Sequence, residues 1–299
     1  MAVPVRTIVV GVASTCETDP ALPAAAEIAR RHGAALHAVH VFEVPECLAA
    51  SSGGYPDLHA AGLSDRLRAQ AARFADGVWL TVHVLAGSPH ERLTELAARL
   101  RADLLVVGAT RRGRLRPGAV GATAERVLAS SPVPVLVLHA PFFHEVRRVL
   151  VATDLSPLAG DLFERGLDAA EALFGSGGLE ARALFMVDPE LLPGAAELGR
   201  AALDRFLAER RPRPFGVAAE VRTGEPAAGI AREAEAWGPD LLVMGTRGRV
   251  PARGGQLGSV AAAALRRTRC NALVVPAPGR RARPRPGAAR SERAAAGTS

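Results

Sequence analysis

The sequence predicts an α/β protein made of two tandem, doubly wound parallel sheets of five strands each. Three observations carry this. A unit of sequence recurs without gaps at an offset of 137 residues. Within each unit, short apolar runs alternate with longer stretches of helical periodicity. The most apolar runs, Leu104-Leu-Val-Val and Leu241-Leu-Val-Met, do not alternate with polar residues, so they fit central strands covered on both faces.

The repeat is read from fixed landmarks. Val84-Leu-Ala-Gly87-Ser-Pro89 is matched by Val221-Arg-Thr-Gly224-Glu-Pro226, Asp103 by Asp240, Gly108 by Gly245 and Gly121 by Gly258. Solenoid repeats run about 20–50 residues, so this longer period means two domains. The boundaries drawn from it are residues 1–143, 144–279 and a tail, 280–299.

Each unit then reads in the same order. Opening strands fall at Thr7–Val12 and Arg148–Ala152, followed by helices at Pro20–His32 and Leu158–Phe174. Second strands fall at Ala35–Phe42 and Glu180–Val187, with helices around Asp57–Phe74 and Gly194–Arg211. Third strands are Trp79–Leu85 and Phe215–Arg222, and the next helices are Pro89–Leu100 and Pro226–Trp237. Buried strands follow at Asp103–Val107 and Asp240–Met244. A glycine-rich loop, a helix and a last strand, Val133–Leu138 or Asn271–Val275, close the unit.

Composition narrows the function classes. Apolar residues make up 48% and charged residues 22%, which excludes a wholly disordered or fibrous chain. No apolar run approaches the ~20 residues of a membrane span. No secretory signal is read at the N-terminus. Cys16, Cys47 and Cys270 are odd in number and scattered, which speaks against a disulfide scaffold or zinc site and for a reducing cytoplasm.

The net charge of +7 invites a nucleic-acid reading. Every basic residue is an arginine, as a GC-rich genome favours. Six of them lie in residues 280–299 against one glutamate, so the two domains are close to neutral. No aromatic residue is interleaved with the tail arginines to stack on bases. The tail reads as a solvated, disordered extension, and neither nucleic acid nor a membrane is the expected partner.

The loop after the fourth strand of the second unit runs Gly245-Thr-Arg247-Gly248-Arg249 and ends in Gly258-Ser259. Glycines there let backbone approach a phosphate, and the following helix presents free N–H groups to an anion. Ser259 is placed to cap that helix or to donate to a phosphate. The spacing G-x2-G-x9-G-S, preceded by Pro239-Asp240-Leu-Leu-Val-Met, resembles the nucleotide-binding signature of the universal stress protein family. Val149-Leu-Val-Ala-Thr153-Asp154-Leu-Ser156 is similar to that family's first strand. The resemblance covers about residues 3–278. It implies a Rossmann-like sheet of order 3-2-1-4-5 that binds ATP or AMP across the strand tips, with Mg²⁺ accompanying the phosphates. Carried over, Asp154 holds the ribose, and Thr153, Met186 and Val187 frame the adenine. Gly245, Gly248, Gly258 and Ser259 cradle the phosphates beside Arg247 and Arg249. The role implied is stress or energy sensing, within an intramolecular pseudo-dimer in which the last strands, Val133–Leu138 and Asn271–Val275, pair across the halves as the family's commonly do; a homodimer of whole chains is left open.

The first unit departs from this pattern. Ala13 stands where the second unit has Asp154, Arg111 replaces the second glycine, and Ala122 follows Gly121. The first unit therefore reads as a degenerate copy. A shifted loop using Thr123 or the Gly113/Gly118 pair is the alternative.

No residue is assigned to catalysis or to a metal. The histidines, His37, His40, His83 and His90 among them, lack metal-ligand spacing; His40 is read as a hydrogen-bonded strand residue. Asp103 and Asp240 are read as capping the loops that precede their strands. No nucleophile elbow is present, and without lysine there is no P-loop. The two other readings kept are slow ATP hydrolysis, which lacks an evident general base, and a nucleotide-free scaffold.

Overall fold

The computed structural model describes residues 4–13, 19–43, 55–109, 120–142, 145–188, 194–248 and 256–277. The first half runs β1 (Thr7–Gly11), α1 (Ala21–His32), β2 (Ala35–Phe42), α2 (Tyr55–Ala72), β3 (Trp79–Ala86), α3 (Pro89–Arg99), β4 (Leu104–Gly108), α4 (Ala122–Ser130) and β5 (Val135–Leu138). The second half repeats it as β6 (Arg148–Thr153), α5 (Ala159–Phe174), β7 (Glu180–Val187), α6 (Ala195–Ala208), β8 (Val217–Thr223), α7 (Pro226–Trp237), β9 (Leu241–Gly245), α8 (Ser259–Arg267) and β10 (Asn271–Val275). The tail from residue 278 lies outside the described residues, as do Cys16, Cys47 and residues 110–119.

Local chemistry sets the helix ends. Pro89 and Pro226 open α3 and α7, where a missing N–H costs nothing. α1 stops at Gly33, whose φ of +62° suits glycine, and Ala34 N–H then closes back on Ala29 O at 2.9 Å.

Each half has the strand order 3-2-1-4-5, and the halves share one ten-stranded sheet ordered β3-β2-β1-β4-β5-β10-β9-β6-β7-β8. All neighbours are parallel except β5 and β10, which pair antiparallel as Val137↔Ala272, Leu136↔Leu273 and Val135↔Val274. The expected joining of the last strands is thus observed.

The uninterrupted apolar runs are explained by two cores. Leu104, Val106, Leu136, Leu241, Val243 and Leu273 face one core with α1 and α5. Leu105, Val107, Val137, Leu242, Met244 and Val274 face the other, with α3, α4, α7 and α8. Both cores run through both halves. A buried Leu or Val contributes about 1.5–3 kcal/mol.

Polar side chains fix the registers. Asp103 Oδ2 accepts from the N–H groups of Arg6 (2.7 Å) and Thr7 (2.9 Å), and Asp240 Oδ2 from those of Arg147 (2.8 Å) and Arg148 (2.9 Å). This corrects the expectation that they cap their own preceding loops. Each instead grips the start of its unit's first strand, which lies next to it in the sheet. At the junction, Asn271 Oδ1 accepts from His139 N–H (2.9 Å) and Ala140 N–H (3.2 Å), while Nδ2 donates to Ala140 O (3.1 Å). His40 is buried, with Nδ1 2.8 Å from Val12 O, as read from its place in the second strand.

Two predictions follow from the junction. Asn271→Ala removes three partly buried bonds to the segment leaving β5, so it should cost about 1–3 kcal/mol in urea unfolding; an unchanged midpoint would contradict the assigned role. His139 has a buried Nε2 without a partner among the described residues, and burial lowers its pKa to about 4. The unfolded chain, with a value near 6.5, binds a proton that the folded chain refuses. Stability is therefore whole above about pH 6.5 and falls as the pH drops toward 4. Burial lowers His37 and His83 too, which adds in the same direction. His139→Phe should flatten the slope between pH 6.5 and 4 by up to about 1.4 kcal/mol per pH unit; an unaltered slope would assign the effect elsewhere.

Candidate functional site

The strand tips of the second half open into a cleft of about 910 Å³. It lies at the carboxyl ends of β6, β7 and β9, where β6 and β9 adjoin and the sheet order reverses, the usual ligand position of an open α/β sheet. Thr153, Asp154, Met186, Val187, Gly245, Arg247, Gly248, Gly258 and Ser259 all line it. Nine of the ten residues singled out from the sequence thus meet in one place. The tenth, Arg249, lies outside the described residues.

Asp154 follows the end of β6. The chain turns sharply behind it: Leu155 sits at φ +54°, a left-handed conformation costing about 1–2 kcal/mol in a non-glycine residue. Asp154 Oδ1 accepts from Ser156 N–H at 3.0 Å. Its Oδ2 lies so close to Gly248 that a Cβ there would strike it. Gly248 is therefore a glycine because backbone and carboxylate meet at this point. Opposite, Gly258 N–H donates to Thr246 O at 2.8 Å and closes the base of the glycine loop.

α8 begins directly after. Gly258 is its N-cap and brings no side chain to the helix's first N–H groups. Ser259 is the first helical residue and exposed, which corrects the expectation that it caps. Arg247 lines the cleft with its Nε buried and without a partner among the described residues. A buried donor left open is costly. Together with the uncapped helix it makes this rim a place for an acceptor of negative charge.

The other wall was missed in the sequence. Phe163 of α5, Phe185 of β7, and Leu198 and Ala202 of α6 give the cleft an apolar flank. Leu198 and Val260, two of the few exposed large apolar residues, stand at its edge. Glu225 was missed as well. It caps α7, accepting from Ala227 N–H (3.0 Å) and Ala228 N–H (2.8 Å), and those bonds hold its carboxyl below the usual value, the Ala228 bond foremost. A second hollow, of about 660 Å³, lies among Glu145, Arg147, Arg148, Gly238 and Asp240 at the opposite ends of the strands. Its polar groups are engaged with each other and with β6, so it is part of the fold.

Comparison with known proteins matches the family model described as the universal stress protein family twice, over residues 4–139 and 145–276. The chain belongs to the universal stress protein family. It is a tandem, two-domain member. Over 124 residues it is 29% identical to universal stress protein MJ0531 of Methanocaldococcus jannaschii, spanning 39% of this chain and 72% of that one. Among solved structures, PA1789 of Pseudomonas aeruginosa PAO1, described as functionally unknown, superposes with TM-score 0.69. It is 19% identical, covering 91% of this chain and 93% of its own. A universal stress protein of Archaeoglobus fulgidus gives TM-score 0.65 at 20% identity, with 91% and 96% covered. These likenesses establish the two-unit α/β fold for this universal stress protein. Among the described residues no helix is long and apolar enough to cross a membrane. Cys270 is free, and burial pushes its thiol up to about 12, which disfavours the thiolate.

Proposed function

We propose that this universal stress protein binds an adenine nucleotide, ATP or AMP, in the cleft of its second unit, and serves stress response or energy sensing through that binding. One observation carries the reading. An acceptor carboxylate, a glycine pressed against it, an uncapped helix N-terminus and an open guanidinium N–H converge on one cleft with an apolar wall. The carboxylate suits the two hydroxyl donors of a ribose, since an ionised Asp only accepts. The apolar flank suits the faces of a purine, and the helix N-terminus and Arg247 suit phosphate. Thr153, Met186 and Val187 border the base, and Gly245, Gly258 and Ser259 the phosphates, with Arg249 as a further cation.

Among the described residues no group of three or more His, Cys, Asp or Glu is placed to hold a metal. Mg²⁺ thus enters the proposal as the counter-ion a triphosphate carries with it. The scattered cysteines favour a reducing cytoplasm as the setting.

Nucleotide released from the purified protein and identified by mass tests the reading directly. Titration with ATP and AMP refines it. Asp154→Ala should weaken binding by about tenfold to a hundredfold, the worth of hydrogen bonds to a charged group. Gly248→Arg, which copies the first unit, should abolish it. Unchanged affinity in both variants would remove the cleft from consideration.

A further inference from the structure

His37 and His83 stand 46 residues apart, and no spacing in the sequence marks them as a pair. The parallel pairing of β2 with β3 sets His37 opposite Thr81 and Val39 opposite His83, so the two histidines lie diagonally on one face of the sheet. On that face α3 packs over β1 and β2, and Val39 and Leu96 belong to the core beneath it. β3 is the edge strand, and both rings are half-buried at the margin of this core. His37 Nδ1 lies 3.0 Å from His83 Nε2, with the ring centroids 5.2 Å apart.

The second unit fills the same place with opposite charges. Arg182 and Glu220 stand there where the first unit has His37 and His83. Arg182 pairs with Glu233 of α7 at 2.6 Å, and Arg222 pairs with Glu233 at 3.1 Å and with Glu220. In the first unit Leu96 replaces Glu233, so α3 brings no carboxylate at that position. Two imidazoles face each other instead. Burial lowers the pKa of both, and the neighbouring charges of His37 and Arg99 add to the effect on His83. Near pH 7 both rings are therefore mainly neutral, and each has one nitrogen with a lone pair to give.

We infer that His37 Nδ1 and His83 Nε2 chelate one divalent transition-metal ion of the zinc, nickel or copper type, with water completing its coordination. Imidazole nitrogen suits these ions, whereas Mg²⁺ and Ca²⁺ take oxygen. With metal–nitrogen bonds of about 2.0–2.1 Å, two nitrogens 3.0 Å apart subtend about 90° at a single ion. An opening of about 0.3 Å brings them to the tetrahedral separation. In the free pair one N–H donates to the lone pair of the other ring. On binding, the donating ring moves its proton to its far nitrogen and both lone pairs turn to the ion. His37 then carries its proton on Nε2 and His83 on Nδ1, and no net proton is released. Arg99 opposes the incoming cation and holds the affinity down.

The inference is independent of the nucleotide reading, since the pair belongs to the first unit and takes no part in the cleft of the second. Calorimetric titration of the full chain with ZnCl₂ at pH 7 should give one Zn²⁺ bound with a Kd of about 1–100 µM, as two of a structural site's four ligands would supply. His37→Gln and His83→Gln should each weaken that event by about tenfold or more, because a lone imidazole no longer chelates. His90→Gln should leave it unchanged, and Arg99→Gln should tighten it severalfold. In the unaltered chain, Zn²⁺ should shift the ring ¹⁵N resonances of His37 Nδ1 and His83 Nε2 and leave protons on the other two nitrogens. That last measurement needs no variant to fold. No zinc uptake, uptake that survives both glutamine variants, loss in only one of them, or coordination through other nitrogens would overturn the inference.

Discussion

The antiparallel pairing of β5 with β10 is the contact on which the rest of the molecule depends. Both strands are wholly buried and carry no charge: Val135–Leu138 and Asn271–Val275. At the edge of a lone five-stranded sheet, either would expose a row of unpaired backbone groups flanked by apolar side chains, a template for uncontrolled association. Here each strand covers the other. The pairing makes the two hydrophobic cores continuous across the halves. Asn271 ties its side chain to the segment leaving β5, and Pro134, at the corresponding place in the first unit, has no side-chain group to return the bond. The junction is therefore twofold in its backbone and one-sided in its polar chemistry.

The same contrast separates the two sets of strand tips. Both halves keep a β4-type strand ending in glycine, a loop closed by a glycine N–H and an uncapped helix behind it. They differ in where the carboxylate comes from. In the second unit Asp154 follows the strand tip, and its carboxylate meets the backbone of Gly248 in the glycine loop. In the first, Ala13 stands at that place, and Asp19, just before α1, meets the backbone of Gly108 at the end of β4. The two units share the scaffold and differ in single residues at their strand tips.

Most of the fold was legible because strands and helices announce themselves by period. β2, β7, α7 and β10 fall on the residues that the pattern marks, and other boundaries move by a few residues where caps decide. The motif residues of the cleft were legible because glycine, Asp and Arg are needed there for backbone approach and charge, and those needs leave fixed spacings. The apolar wall was not. Phe163, Phe185 and Leu198 come from three elements, each with an ordinary amphipathic pattern, and only tertiary packing turns them toward one ligand-sized space. Asp103 and Asp240 show a subtler gap. Their position before a buried strand suggested a local cap, but the donors they serve lie more than ninety residues away in sequence, beside them only because β1 and β4, or β6 and β9, are neighbours. Asp19 carried no signal either, since an Asp before a helix is common.

The antiparallel junction has a directional consequence. Every strand of one half runs parallel to its fellows, and the two halves meet head to tail. Their strand tips therefore point to opposite rims of the shared sheet. A small partner lying on one rim therefore covers the strand tips of one half and not those of the other. The two sets of tips are reached from opposite sides of the molecule, with the ten-stranded sheet and its two cores between them.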